Sequence, residues 1–238
     1  MREFVYGLTS APRDIDHTPP IEVHRFTAGP AGENSYVTVC ARSGRAAAID
    51  PGAAVPEMID AVRRRGWSIE AIYLTHAHFD HVEGIPALRR SVPGAPIHLH
   101  PADRPLYDHA NEAAALFGYV LKETLPPPDF PLVPGKSVPV GESRLEVRFA
   151  PGHAPGHVLL YSPEAGFALV GDVIFQRSIG RYDLPGGDLQ TLMESIREQV
   201  LTLPDGTTLY PGHGDETTVR EERLGNPFLI SQAPSRFA

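Results

Sequence analysis

Hydrophobic and polar residues alternate along several stretches of the chain, and this two-residue period is typical of half-buried strands. The clearest cases are residues 21–26, 36–40 and 144–149. Apolar residues at positions 55, 58, 59 and 62 have helical spacing and predict a helix over residues 55–63. Further strands are predicted at residues 46–49, 69–74, 97–100, 158–161, 167–170 and 207–210, and further helices at residues 82–90, 101–117 and 189–203. The alternation of strands and helices indicates an α/β fold.

The ends of the chain differ from this pattern. Residues 1–20 contain Thr18-Pro19-Pro20 and no regular period, so we expect an irregular N-terminal arm. The triple proline at residues 126–128 is interpreted as a connection between elements and not as a domain boundary. We therefore expect residues 21–238 to form a single domain.

One polar stretch stands directly after the predicted strand 69–74 and contains three histidines and an aspartate. Side chains alternate in extended chain, so His76, His78 and Asp80 are expected to share one side. His81 follows where the chain begins to look helical, and its side chain is expected to point elsewhere. Two directions within one stretch suggest two neighbouring metal ions.

Three more strand ends carry residues that bind metals. His153 follows the strand at 144–149, Asp172 follows 167–170, and His213 follows 207–210. Each alone would be interpreted as a turn residue, but their recurrence at strand ends favours ligation. Imidazole and carboxylate ligands suit zinc, iron or manganese, whereas magnesium or calcium would favour mostly oxygen ligands. The candidate ligands are His76, His78, Asp80, His81, His153, Asp172 and His213, and a carboxylate such as Asp172 can bridge two ions.

His157 lies four residues after His153 and resembles a ligand in sequence. Because it opens the next predicted strand, we interpret it as a side chain behind the ligands or on the surface. We expect it to be dispensable for metal binding.

Composition excludes several classes of protein and site. The 238 residues carry 21 basic and 29 acidic side chains, a formal charge of -8, which disfavours nucleic acid as a partner. Cys40 is the only cysteine, so the chain has no internal disulfide and no thiolate zinc site. No stretch reaches the roughly 18 apolar residues of a membrane span, and the N-terminus lacks the apolar core of a signal peptide. We expect a cytoplasmic enzyme without a membrane partner.

The ordered motifs resemble those of the metallo-β-lactamase superfamily. They are THAHFDH at 75–81, PGHAPGH at 151–157, GD at 171–172 and PGHG at 211–214. Residues 180–188 and 222–228 are most similar to the short bacterial glyoxalase II-like hydrolases. The resemblance implies a four-layer αβ/βα sandwich, in which two mixed β-sheets are flanked by helices.

The same resemblance implies roles for the candidate ligands. His76, His78 and His153 would hold a first divalent ion, Asp80, His81 and His213 a second, and Asp172 would lie between them. Zinc is the expected metal, with iron or manganese as alternatives. A hydroxide shared by the ions would attack a small-molecule acyl thioester, such as S-lactoylglutathione, or a related ester. Asp80 would also act catalytically, by orienting the attacking water or accepting its proton.

Substrate contacts are expected in the loop after Asp172. Arg181 matches a basic residue that glyoxalase II enzymes use for glutathione, and Tyr182 is a second candidate. Arg181 could bind a substrate carboxylate or could pair with Asp183 or Asp188 and pin the loop.

Other activities are compatible with the resemblance. Persulfide dioxygenases, which are oxidoreductases with one iron, share the fold and much of the motif set. A lactonase on the same fold is a second alternative, and a non-catalytic metal-binding scaffold is a third. Formation of a homo-oligomer stays open.

Overall fold

The computed structural model describes residues 21–230, and the first half of this range forms a six-stranded mixed sheet. In order across the sheet, its strands are β1 (Ile21–Ala28), β2 (Glu33–Cys40), β3 (Arg45–Ile49), β4 (Ser68–Tyr73), β5 (Ile97–Leu99) and β6 (Phe130–Pro131). Strands β1 to β3 are antiparallel, whereas β3 to β6 are parallel. Parallel neighbours need long crossovers, which here contain helices.

The second half forms another six-stranded mixed sheet. Its strands are β7 (Ser137–Val140), β8 (Ser143–Phe149), β9 (Val158–Ser162), β10 (Phe167–Gly171), β13 (Thr208–Pro211) and β14 (Thr217–Thr218). The order across the sheet is β14-β13-β10-β9-β8-β7, and only β10 and β13 pair in parallel. A separate hairpin of β11 (Ile174–Phe175) and β12 (Ser178–Ile179) follows β10.

Helices lie against the outer face of each sheet. The first sheet is covered by α1 (Val55–Arg65), α2 (Phe79–Val82), α3 (Ile85–Ser91), α4 (Arg104–Asp108) and α5 (Ala110–Leu116), and the second by α6 (Leu189–Ser195), α7 (Val219–Gly225) and α8 (Pro227–Ile230). Helix α1 has a proline in its first turn and three arginines in its last, and it ends at Gly66, whose φ of 69° is left-handed. These are ordinary start and stop signals of a helix.

Three hydrophobic cores separate the four layers. Ala46 and Ala48 of β3 face the helices over the first sheet, whereas Ala47 and Ile49 face the second sheet. A third core lies between the second sheet and α6. Because successive residues of a strand point to opposite faces, a strand buried on both sides is apolar throughout. The predicted four-layer sandwich of two mixed sheets flanked by helices is confirmed.

Several predicted helices are interrupted. The predicted helix at 101–117 is a short 3₁₀ turn (Pro101–Asp103) followed by α4 and α5, with a break at His109, whose φ of -108° and ψ of 20° are not helical. The helix predicted at 82–90 is divided into α2 and α3 around Gly84. The helix predicted at 189–203 changes from α6 to a wider π-helical turn over Ile196–Val200.

Short elements were not predicted, among them β6, β7, β14 and α7. Strands of two residues, such as β6 and β14, show too little alternation to be recognised. The predicted arm at residues 1–20 lies outside the described residues. Within residues 21–230, no helix is both long and apolar enough to cross a membrane.

Candidate metal centre

Four segments meet at one edge of the paired sheets, and each follows the end of a strand. The segment from His76 to His81 follows β4, and His153 follows β8. Asp172 and His213 follow the parallel neighbours β10 and β13, whose ends lie at the same edge. The seven sequence-predicted ligand candidates are therefore brought together.

His76, His78 and His153 form a first cluster, in which ligating atoms lie within 4.8 Å of one another. The Nε2 atom of His153 is 2.8 Å from Nδ1 of His78 and 3.3 Å from Nε2 of His76. Three ring nitrogens that converge on one point can serve as ligands of one ion.

Hydrogen bonds behind two of these rings fix which nitrogen faces the cluster. Nδ1 of His153 donates to the carbonyl oxygen of Arg181 at 2.7 Å. Nδ1 of His76 is 3.1 Å from the Thr75 hydroxyl, which itself donates to Asp50 Oδ2 at 2.5 Å. Each neutral ring carries its proton on Nδ1, so the Nε2 lone pair points into the cluster.

Asp80, His81 and His213 form a second cluster, and its ligating atoms also lie within 4.8 Å of one another. Nε2 of His213 is 3.4 Å from Oδ2 of Asp80, while its Nδ1 donates to the Ala31 carbonyl at 3.1 Å. The second cluster therefore combines two imidazoles with a carboxylate.

Asp172 faces both clusters. Its Oδ2 is 3.5 Å from Nε2 of His153 and 3.4 Å from Nε2 of His213, and its Oδ1 is 3.5 Å from Nε2 of His81. The backbone leaves just enough room for this carboxylate, because a Cβ on Gly212 would lie 2.1 Å from Oδ1. A side chain at position 212 would displace Asp172.

Two buried polar atoms at this point have no hydrogen-bond partner among the described residues. They are Nε2 of His81 and Oδ1 of Asp172. Nδ1 of His81 is 3.2 Å from Oδ2 of Asp50 and donates to it, so Nε2 is the ring nitrogen that faces Oδ1 of Asp172, at 3.5 Å. Two such buried atoms need positive charge between them, which either a proton on Nε2 or a bound cation supplies. The donor set therefore fits a bound cation.

The two clusters differ in how their surroundings shift pKa values. Burial, followed by the neighbouring His153, lowers the pKa of His78 to about 3. Burial also acts to lower the pKa of His81, but the carboxylates of Asp172 and its neighbours outweigh it and raise the value to about 10. For His213 the same opposition raises the pKa to about 11. The first cluster thus favours neutral imidazoles, and the second attracts positive charge.

Asp50 connects the clusters and was not predicted. It accepts the Thr75 backbone N–H at 2.7 Å in addition to the Thr75 hydroxyl, and it also holds His81. It therefore orients a ring in each cluster, His76 through Thr75 and His81 directly. Its φ of 46° is unusual for a residue other than glycine. Asp50-Pro51-Gly52 also follows a strand, so the rule used for the other ligands would have found it.

Asp103 is a second unpredicted residue, and it joins the two loops of the first cluster. Its buried carboxylate accepts the Ala77 N–H at 3.1 Å and the Gly156 N–H at 2.5 Å. Ala77 lies between His76 and His78, and Gly156 belongs to the loop of His153. Asp103 lies at a helix start with no ligand motif around it, so no sequence signal marked it.

His157 is fully buried, and its interpretation as a surface side chain is wrong. Its Nε2 accepts the backbone N–H of Asp172 at 3.0 Å, and its ring stacks on His76 with centroids 4.8 Å apart. The alternative position behind the ligands is the one that the structure shows. His157 contacts one ligand directly and holds the backbone of another.

The two predicted substrate contacts lie on the exposed loop after β12. The guanidinium of Arg181 forms two 2.9 Å hydrogen bonds to the Asp183 carboxylate, as in the loop-pinning alternative. Asp188 instead accepts the Thr191 N–H at the start of α6. Tyr182 is partly exposed.

Sequence and structure comparisons place these features among known proteins. The family model described as the Metallo-beta-lactamase superfamily matches residues 28–213. A "Probable metallo-hydrolase YqgX" of Bacillus subtilis is 36% identical and aligns with 86% of this chain and 96% of its own length. A "Hydroxyacylglutathione hydrolase GloC" of Haemophilus influenzae is 34% identical, with 79% of this chain and 89% of that protein aligned. The solved structure of TTHA1623 in a di-iron-bound form has a TM-score of 0.79 and 39% identity, covering 87% of this chain and 100% of that one.

Proposed function

This chain belongs to the metallo-beta-lactamase superfamily and to its metallo-hydrolases, and we propose that it is a binuclear hydrolase that cleaves acyl thioesters or related esters. One observation carries the binuclear part. The carboxylate of Asp172 faces a trio of imidazoles on one side and the Asp80, His81 and His213 group on the other. One carboxylate between two sets of three donors is the arrangement that two neighbouring cations need.

The proposed ligand sets follow the two clusters. His76, His78 and His153 would hold one ion, Asp80, His81 and His213 would hold the other, and Asp172, which faces both groups, would contribute to each. Zinc, iron and manganese all suit these donors. Bound ions supply positive charge that polarises an acyl oxygen and lowers the pKa of water to near neutrality.

The chain's own residues perform the remaining tasks. The hydrogen bonds behind His76 and His153 keep their Nε2 lone pairs directed into the site. Asp80 is ionised, since its neighbours His81 and His213 outweigh the effect of burial and lower its pKa. We assign it the orientation of the attacking water and the acceptance of its proton. A thiolate leaving group requires little protonation, so no further acid is needed.

The relative named hydroxyacylglutathione hydrolase supports a thioester as substrate, because it is 34% identical over 79% of this chain and 89% of its own length. That Arg181 and Tyr182 contact the substrate stays a prediction, and the ion pair between Arg181 and Asp183 favours the loop-pinning alternative. A cytoplasmic location and zinc as the native metal likewise remain expectations.

The test combines metal analysis of the purified protein with two assays. We expect two metal ions per chain and release of thiol from S-lactoylglutathione. A single iron per chain with oxygen uptake on glutathione persulfide would overturn the proposal in favour of a dioxygenase. Hydrolysis of a lactone but of no thioester would overturn the thioester assignment alone.

A further inference from the structure

A cavity of about 200 Å³ lies beside the second cluster, between the β1–β2 loop and the start of α2. Asp80 belongs to its wall and also contacts His213. Ala31 belongs to its wall too, and its carbonyl oxygen accepts the hydrogen bond from His213 Nδ1. Two residues of the cavity therefore touch a candidate metal ligand, so a group bound there is adjacent to the metal centre.

Aromatic rings form one wall of this cavity. The Phe79 ring centroid is 5.8 Å from that of Phe117 and 5.6 Å from that of Tyr119. The Tyr119 hydroxyl donates to Glu83 Oε2 at 2.6 Å, so its polar end is satisfied. The lining also contains Pro30 and its small neighbours. These surfaces provide apolar contact and few hydrogen-bonding groups, as ligand pockets commonly do.

The side chains of the cavity that can carry a charge at neutral pH are all acidic. Its described lining includes the carboxyl groups of Glu33, Asp80 and Glu83 and no lysine, arginine or histidine. Burial raises the pKa of Glu33 well above its usual range and favours its neutral form, so Asp80 and Glu83 supply the negative charge. A negatively charged group bound in this cavity would meet like charges, and the lining offers it no cationic side chain. The two carboxylates of a glutathione moiety are therefore poorly matched to this cavity, and an uncharged chain is well matched.

We propose that this cavity binds the acyl portion of the substrate and that it selects uncharged, apolar acyl groups over acyl groups with a terminal carboxylate. The proposal rests on the proposed thioester hydrolysis. The carboxylate-bearing thiol portion then extends away from the cavity, on the other side of the metal centre. Phe117, which is 56% exposed, lies at the solvent side of the aromatic wall.

The first test compares acyl thioesters of one uncharged thiol, N-acetylcysteamine, with metal-loaded protein. We expect kcat/KM to rise from acetyl to butyryl to hexanoyl, by up to about fourfold for each methylene that enters the cavity. Phe117→Ala should flatten this rise, because it removes one aromatic ring from the wall, while metal content stays unchanged. Leu224→Ala is the matched control, since Leu224 is an exposed apolar residue of α7 outside the cavity.

The second test addresses charge. The wild-type protein should hydrolyse the butyryl thioester about tenfold or more faster than the succinyl monothioester, which carries a terminal carboxylate. Glu83→Gln should raise the relative rate on the succinyl compound about threefold or more, because one repelling charge is lost while Tyr119 keeps a hydrogen-bond acceptor.

A binding measurement gives a readout independent of turnover. Ketone analogues, in which a methylene replaces the thioester sulfur, are titrated by calorimetry. The hexanoyl analogue should bind more tightly than the acetyl analogue to the wild-type protein, and Phe117→Ala should remove most of the difference.

The outcomes separate the two proposals. If two metal ions are bound and no thioester is hydrolysed, the proposed function fails. If thioesters are hydrolysed but rates and analogue affinities do not depend on acyl length or charge, only the acyl-binding cavity is refuted. Unchanged length dependence in Phe117→Ala would also refute it.

Discussion

The two clusters of the candidate metal centre both face Asp172 but differ in charge. The first consists of three imidazoles, and burial lowers the pKa values of all three. The second contains the Asp80 carboxylate, and its histidines have raised pKa values. At a cluster whose histidines are already neutral, protons compete little with a cation for the ligand atoms. At a cluster whose histidines are protonated, this competition is strong.

The difference shows that one donor count can produce two kinds of site. Each cluster offers three side chains, but the imidazole trio supplies no negative charge of its own. The second cluster attracts a cation electrostatically and must first release protons from His81 and His213. Four predictions test this comparison.

The largest effect is expected when the residue common to both clusters is removed. Asp172→Ala should lower kcat/KM on S-lactoylglutathione by about a thousandfold or more and reduce metal content at both clusters. Metal analysis and kinetics check this. Asp183→Ala removes an exposed carboxylate of the nearby loop and serves as the control. A fully active Asp172→Ala protein would show that the carboxylate does not bridge.

Lowering the pH should weaken metal binding at the second cluster and leave it unchanged at the first. The pKa of His78 is about 3, so it remains neutral and releases no proton when a cation binds above about pH 5. His81 and His213, with pKa values of about 10 and 11, are protonated there. Apparent affinity at the second cluster should therefore fall about tenfold per pH unit for each displaced proton as the pH decreases.

Metal content after dialysis at a series of pH values measures this loss. We expect one ion per chain to be lost as the pH falls from about 8 to about 5.5, while the other is retained. Parallel loss of both ions would contradict the difference between the clusters.

A change behind the first cluster should affect that cluster alone. Asp103→Asn leaves one acceptor oxygen for two backbone N–H groups, which costs about 1–3 kcal/mol in unfolding free energy. Because the loops of His76 and His153 lose their common anchor, affinity at the first cluster should fall about tenfold. Competition with a chelator measures both affinities. Asp108→Asn, at an exposed carboxylate of α4, is the control, and an equal loss at the second cluster would contradict the assignment.

The smallest effect is expected at Arg181. Its guanidinium is exposed and paired with Asp183, while its contact with His153 uses the backbone carbonyl, which alanine retains. Arg181→Ala should change kcat and KM for S-lactoylglutathione by less than about threefold. A tenfold rise in KM would instead show that the guanidinium binds a substrate carboxylate.

Much of the fold could be predicted, because the apolar strands are buried on both faces and end in turn residues. The ligand candidates were found by that rule, since a strand end is where polar side chains can leave the core. Asp103 was missed because its partners, Ala77 and Gly156, are distant in sequence and contribute only backbone N–H groups. Any residue can supply such groups, so they have no sequence pattern.

The hydrophobic and polar pattern also could not predict local irregularities of the backbone and of side-chain packing. The non-helical His109 between α4 and α5 occupies a polar position that fits a continuous helix equally well. The burial of His157 depends on Gly171, where a Cβ would lie 2.6 Å from the His157 ring nitrogen. That close approach joins two loops of the second half and is invisible to periodicity.

The order of the strands along the chain has a consequence for biosynthesis. His153 is the last residue of the first cluster along the chain. The second cluster is complete only when β13 and His213, which are synthesised later, are present. Chains are synthesised at about 5–20 residues per second, and earlier segments emerge first. During translation, the neutral histidine trio therefore leaves the ribosome while its acidic neighbour still lacks a ligand.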